Sequence, residues 1–275
     1  RLVDMTGTIA AQMINGVLEP ASYVSYNLLA IVCCAALLPL TLTTVRQPET
    51  PASPRLRPRL AHERSPLAAA AVVVAALTSA SFRMVGPVYG QQVGLSNDQI
   101  AYFLTAIVLG GALGQLPVGW LADKYDRRRV LIWLSIAAVG SSAITIFAAN
   151  LGTASILLTA GLFGLTTFPI YSIAAAHAHD FASDDERVEL SAALMFYYAL
   201  GAIAAPYVAS LLIEGFGAKA LFVMIAAGHV LLVIFGLSRM RARPTPADRT
   251  RYTYAPRTSF TIGRLTRRSR THPKD

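Results

Sequence analysis

Three groups of residues have types and spacings that could do chemistry. The densest is Asp123-Lys124 followed by Arg127-Arg128-Arg129. A carboxylate beside a helix start meets about half a positive charge and unpaired N–H groups, a contact worth ~0.3–1 kcal/mol and more when partly buried. Asp123 can therefore act as a reversible latch. The simpler alternative is a basic loop that only fixes topology, a role for which the acidic residue is superfluous. The second group is one residue, Arg83, the only formal charge well inside the apolar stretch 67–90. At a helix centre such a group costs ~2.5–3.5 kcal/mol to bury in lipid, so it either faces a cavity as a substrate-anion or gating contact or snorkels to the near surface. The third group is His177, His179 and Asp180, followed by Asp184, Asp185, Glu186 and Glu189. His177 and Asp180 are three apart and share a helix face. Together they could form a proton-linked gate, or they could close a solvated acidic loop in which Asp184 or Asp185 helps cap the next helix.

Other chemistries are excluded by what the sequence lacks. There is no G-x-S-x-G elbow, no phosphate-binding G-x-x-x-x-G-K-(S/T), no H-E-x-x-H and no Cys/His metal spacing, so neither an enzyme nor an intrinsic ATP-driven pump is expected. No cofactor and no metal are implied. The two cysteines, Cys33 and Cys34, are adjacent in an apolar stretch, where a loop-closing disulfide is geometrically unavailable and packing is the expected role. The net charge of +9 would suit a nucleic-acid binder, but from Arg239 onward there are 11 basic residues against two acidic ones. The excess belongs to one tail rich in Arg, Thr and Pro, without an aromatic stacking platform. Contact with anionic lipid fits it better than nucleic acid.

The elements that must position these residues are set by composition. Of 275 residues, 54% are hydrophobic and only 14% charged, against about 25% charged in soluble domains. Long charge-free intervals separate Glu19 from Arg46, Arg129 from Asp180 and Lys219 from Arg239. They are continuously apolar rather than alternating, which specifies helices rather than a barrel, each needing about 20 residues to cross the hydrocarbon. The pattern predicts an all-α membrane protein with eight spans, near 3–18, 22–45, 67–90, 99–121, 129–149, 153–176, 189–213 and 218–238. Turn residues punctuate them, and Ser96 with Gln99 three residues on predicts a capped start for the fourth.

Orientation follows from the basic residues. Arg46, Arg55, Arg57, Arg59 and Arg64, then Lys124 and Arg127 to Arg129, then Arg187 and the tail, all fall on one alternating set of connectors, while the opposite set holds only Lys219. The positive-inside rule puts that set, and the C-terminus, in the cytoplasm. Residues 46–66 interleave five prolines with five arginines. They are expected to be an extended basic linker between a two-helix piece, 1–45, and a six-helix piece, 67–238, with 239–275 as a disordered tail.

The segment Gly119-Trp120-Leu121-Ala122-Asp123-Lys124-Tyr125-Asp126-Arg127-Arg128-Arg129 resembles the cytoplasmic signature of the major facilitator superfamily, G-x-x-x-D-(R/K)-x-G-x-(R/K)-(R/K). Gly119, Asp123, Lys124, Arg128 and Arg129 match it, and Asp126 stands in place of the second glycine. Gly86-Pro87-Val88-Tyr89, Gly110-Gly111-Ala112-Leu113-Gly114-Gln115 and Phe168-Pro169-Ile170-Tyr171-Ser172 are similar to strings of a bacterial branch whose substrates are largely unassigned. The resemblance implies helices 5 to 12 of a twelve-helix transporter: the C-terminal six-helix half and two helices of the N-terminal half. It also implies a multi-pass protein of the bacterial inner membrane that carries a small-molecule substrate, coupled to protons, by alternating access. Asp123 would then dock near Arg1 to Thr6. Tyr89, Tyr102, Gln115, Tyr171, Ser172, Tyr197 and Tyr198 join Arg83, His177 and Asp180 as candidates for the cavity or gate, while His229 is expected to be a satisfied structural residue. The chain opens on Arg1 rather than Met, so a fragment or truncated gene product is expected. The second reading is a non-transporting membrane subunit that binds another chain.

Overall fold

A computed structural model describes residues 7–8, 10–11, 22–42 and 56–242, and among these only helices and turns occur. The first described helices are α1, Tyr23–Ala35, and α2, Leu38–Thr41. Seven follow: α3, Pro58–Arg64; α4, Pro66–Gln92; α5, Asn97–Lys124; α6, Arg127–Ala148; α7, Thr153–Thr167; α8, Pro169–His179; and, after a 3-10 turn over Asp184–Glu186, α9, Arg187–Phe216. The last is α10, Ala220–Ala242. Six stretches are long and apolar enough to cross a bilayer: α4, α5, α6, α7 with α8, the 3-10 turn with α9, and α10. All six match predicted spans.

Two expectations change. The span expected over 22–45 is divided at Ala36 and Leu37, because Pro39 sits in the first turn of α2 and cannot donate a backbone hydrogen bond into the preceding helix. No residue of α1 is buried, and Cys33 and Cys34 are both exposed rather than packed. The other predicted span of that piece, 3–18, lies outside the described residues except for 7–8 and 10–11. Residues 46–66 are not extended throughout either. Pro58 and Pro66 each open a helix at a position where the missing N–H is harmless, and Leu60 and Ala61 of α3 are fully buried.

Close approach of backbones organises the bundle. α5 packs along α7, α9 along α4 and α10 along α6. At the α5–α7 seam a Cβ on Gly110 would lie 1.9 Å from the Gly161 carbonyl oxygen, and one on Gly164 would lie 1.9 Å from that of Ile107. Only glycine permits this contact. Two apolar clusters fill the interior. One gathers Leu60, Leu67, Leu131, Ile170, Leu190 and Leu194 at the end where α4 and α6 begin. The other, toward the opposite end, is built from Phe82, Tyr89, Phe103, Phe163 and Phe222. α9 is the least enclosed span, with Ile203, Tyr207 and Leu211 exposed.

Candidate functional site

The turn between α5 and α6 is built by its own side chains. The Asp126 carboxylate caps α6, accepting from the Arg128 backbone N–H at 2.9 Å, and also accepts from Arg128 Nε at 3.3 Å and Nη2 at 3.0 Å. A carboxylate thus does what the signature's glycine does not: it starts the helix and neutralises a buried arginine. A cap of this kind is worth ~1 kcal/mol. Lys124 lies over the Trp120 ring at 4.9 Å and the Tyr125 ring at 5.5 Å, a cation–π arrangement that holds the end of α5. Arg129 is exposed. A Cβ on Gly119 would meet nothing within 4 Å.

Arg127, which motif reasoning passed over, connects this turn to α8. Its Nη1 donates to the Ala176 carbonyl at 3.0 Å and to the Asp180 carboxylate, while Nη2 lies 3.8 Å from Asp123 Oδ1. The only available signal was spacing, since Asp123 and Arg127 are four apart and face one another across the turn. Asp123 is exposed. Its expected dock near Arg1 to Thr6 lies outside the described residues.

The gate residues have different surroundings in this arrangement. Asp180 is engaged by Arg127, whereas His177 is buried with its ring edge-on to Phe181 at 5.2 Å. His179 Nε2 lies 3.2 Å from Ser191 Oγ. The acidic residues beyond them do more than face solvent. Glu186 accepts from Arg64 and from the Ser183 N–H at 3.3 Å, and Glu189 accepts from Arg57 at 3.1 Å. The hydrogen bond from Arg64 to Glu186 pushes the guanidinium pKa further above its ordinary value. Arg57 and Arg64 therefore fasten α3 to the start of α9. Ser183 and Glu186 close a capping box on the 3-10 turn, whereas α9 begins after Glu186 without a side-chain cap, so the cap expected from Asp184 or Asp185 does not form.

The candidates for a central cavity fall into three environments. α8 carries two neighbouring pairs, Ser172 with Gln115 of α5 and Tyr171 with Tyr198 of α9. Ser172 Oγ donates to Gln115 Oε1 at 3.3 Å, the Tyr171 and Tyr198 rings pack edge to face at 5.4 Å, and the Tyr171 hydroxyl lies 3.4 Å from Met195 Sδ. Gln115 Nε2 is buried without an acceptor among the described residues. Tyr197 is half-buried with its ring 6.1 Å from Phe196. Tyr89, by contrast, is fully buried among aromatic rings, stacked on Phe103 at 5.6 Å and edge-on to Phe222 at 4.9 Å. Arg83 of α4 and Tyr102 of α5 are exposed. His229 bonds Thr78 Oγ1 at 3.2 Å through Nε2, but its Nδ1 has no partner among the described residues. It is only half satisfied. Among the described residues no group of three His, Cys, Asp or Glu could hold a metal ion.

The family model for the Major Facilitator Superfamily matches residues 67–271. An uncharacterized MFS-type transporter of Yersinia pestis (strain Pestoides F) is 27% identical over 248 residues, covering 89% of this chain and 63% of the relative. The corresponding protein of Yersinia enterocolitica is 25% identical with the same coverage. The uncharacterized MFS-type transporter YcaD of Salmonella heidelberg (strain SL476) is 28% identical over 215 residues, 77% of this chain and 55% of the relative. The chain thus spans about three-fifths of the length of these relatives.

Proposed function

Because the chain belongs to the major facilitator superfamily, we propose that it forms part of a secondary active transporter that moves a small solute across the bacterial inner membrane by alternating access, coupled to protons. Residues 67–238 act as the six-helix C-terminal half, 1–45 as the end of the N-terminal half, 46–66 as the linker and 239–275 as a basic tail. The arginine-bearing end, with the C-terminus, faces the cytoplasm.

The observation that carries this reading is the Arg127 junction, where the signature turn is tied to the end of α8 through the Asp180 carboxylate and the Ala176 carbonyl. A rocking half needs an element that makes and breaks contacts as a unit. Asp123, 3.8 Å from Arg127, is close enough to pair with it and exposed enough to leave it for a helix start opposite. Gln115 Nε2 is a buried donor awaiting an acceptor, and a substrate oxygen in the cavity would satisfy it. His177 and Asp180 are the titratable pair of these spans for proton coupling, with Arg127 competing for the carboxylate.

Reconstitution of the protein into liposomes under an imposed pH gradient, with a panel of candidate solutes, tests this. Gradient-dependent flux of one solute class is expected, falling at least about tenfold in Asp123→Asn with insertion unchanged, if the latch stabilises one conformer by about 1.4 kcal/mol. Undiminished flux in that variant would remove the latch. Flux of no solute at any gradient would favour the non-transporting subunit.

A further inference from the structure

At the arginine-bearing end of the bundle a cavity opens to which Arg64 and Arg239, two residues the transport reading does not use, contribute. It lies where α4 and α6 begin and where α8 and α10 end, a small cavity of about 30 Å³ that opens on the surface. Four nitrogen-rich side chains line it: Arg64, Arg128, His177 and Arg239. Pro66 and Leu67 supply an apolar wall.

The charge balance around this cavity is uneven. Arg128 is matched by Asp126 at 3.0 Å and Arg64 by Glu186. Arg239 has no carboxylate partner among the described residues, and Arg64 Nε is buried without an acceptor. The Arg239 guanidinium, uncompensated among the described residues, and the half-exposed Arg64 side chain therefore line the same small space. An oxyanion is the ligand that compensates Arg239 and can also accept from the outer guanidinium nitrogens of Arg64. Position adds a second constraint. All four helix termini lie at the end of the apolar spans, the depth at which lipid phosphates sit, and the apolar wall suits the glycerol and first methylenes below such a phosphate.

We propose that this cavity is a phosphate-binding site for the headgroup of an anionic phospholipid, with Arg239 and Arg64 as its principal donors. The headgroup joins α10 to the beginnings of α4 and α6, stapling the last helix to the bundle. Free inorganic phosphate shares the oxyanion but not the apolar contact, so it binds more weakly. The inference is independent of substrate and of transport direction.

The test uses the full chain in detergent micelles, following thermal unfolding during titration with phosphatidylglycerol, phosphatidylcholine or sodium phosphate. Because the tail carries many further arginines, Arg257→Gln serves as a charge-matched control and Arg239→Lys as the conservative variant. Phosphatidylglycerol should stabilise the wild type and Arg257→Gln at the same midpoint. The midpoint should move about fivefold higher in Arg239→Gln, the loss expected for one basic contact at an anionic surface, and should largely recover in Arg239→Lys. Phosphatidylcholine should not reproduce the effect. A response to sodium phosphate as strong as to the lipid, and equally dependent on Arg239, would keep the oxyanion site but overturn its assignment to a lipid. Equal midpoints in Arg239→Gln and Arg257→Gln would reduce the effect to diffuse tail electrostatics and overturn the site, as would no stabilisation of the wild type.

Discussion

Arg127 donates to two acceptors on α8 while lying within ion-pair distance of Asp123 on α5, so its removal should affect conformational exchange more than folding. Half-exposed ion pairs of this kind contribute about 0.2–1 kcal/mol. We expect Arg127→Gln to lower the unfolding free energy by no more than that, while changing the rate of solute exchange in reconstituted protein by a larger factor. Equal proportional losses in both measurements would mark Arg127 as merely structural. Asp126 should behave in the opposite way. Asp126→Ala removes both a helix cap and the carboxylate beside the buried Arg128. Its cost in chemical denaturation should exceed the ~1 kcal/mol of a bare cap, whereas Asp126→Gly, the residue of the signature, loses the same carboxylate but should lose only a few tenths of a kcal/mol through the cap. For the gate, the double variant His177→Gln, Asp180→Asn should abolish the pH dependence of transport, and its persistence would reject the pair. The signature acid and its basic companions could be read directly from their order. Arg127's role could not, because hydrogen-bonding capacity toward Ala176 depends on where α8 ends, a tertiary fact that no local pattern encodes.

Helices are where sequence and structure agree best, since a run of apolar residues as long as a bilayer is thick has few alternatives. The capping box at Ser96 and Gln99 forms as its spacing predicts, with bonds of 3.0 and 3.4 Å. Disagreement concentrates at prolines. Pro39 breaks one expected span, whereas Pro87, Pro117 and Pro206 lie inside unbroken helices, so the residue alone does not announce which will happen. Helix pairing is likewise unwritten in hydropathy, which treats every apolar face alike. It becomes visible at the glycines. Gly110→Ala and Gly164→Ala each push a Cβ into a facing carbonyl, and each should destabilise the protein by about 1–3 kcal/mol or more. Gly140→Ala, where a Cβ meets nothing within 4 Å, should be neutral or stabilising by about 0.5–1 kcal/mol. Thermal unfolding of the three variants in one detergent checks the contrast. Gly119→Ala should also leave the bundle's stability unchanged, so a fall in transport there would reveal an opposing surface that comes close only during the cycle.

At the scale of the molecule, the alternation of basic and neutral connectors predicts sidedness. Single cysteines at Ser183 and at Asn97, introduced after replacing Cys33 and Cys34, should react with a membrane-impermeant thiol reagent from opposite sides, and Ser183 should share its side with the C-terminus. Labelling of both from the same side would dismantle the arrangement of spans. The change in composition around 46–66 was legible, but the helix inside that stretch was not, because five prolines outweighed the short apolar pair Leu60-Ala61. That pair has a mechanical consequence. With Leu60 and Ala61 sunk into the interior and Arg57 and Arg64 gripping Glu189 and Glu186, the strand of chain entering at residue 57 has no slack left. A displacement of residue 57 is therefore passed to the roots of α4 and α9 instead of being absorbed within 57–64.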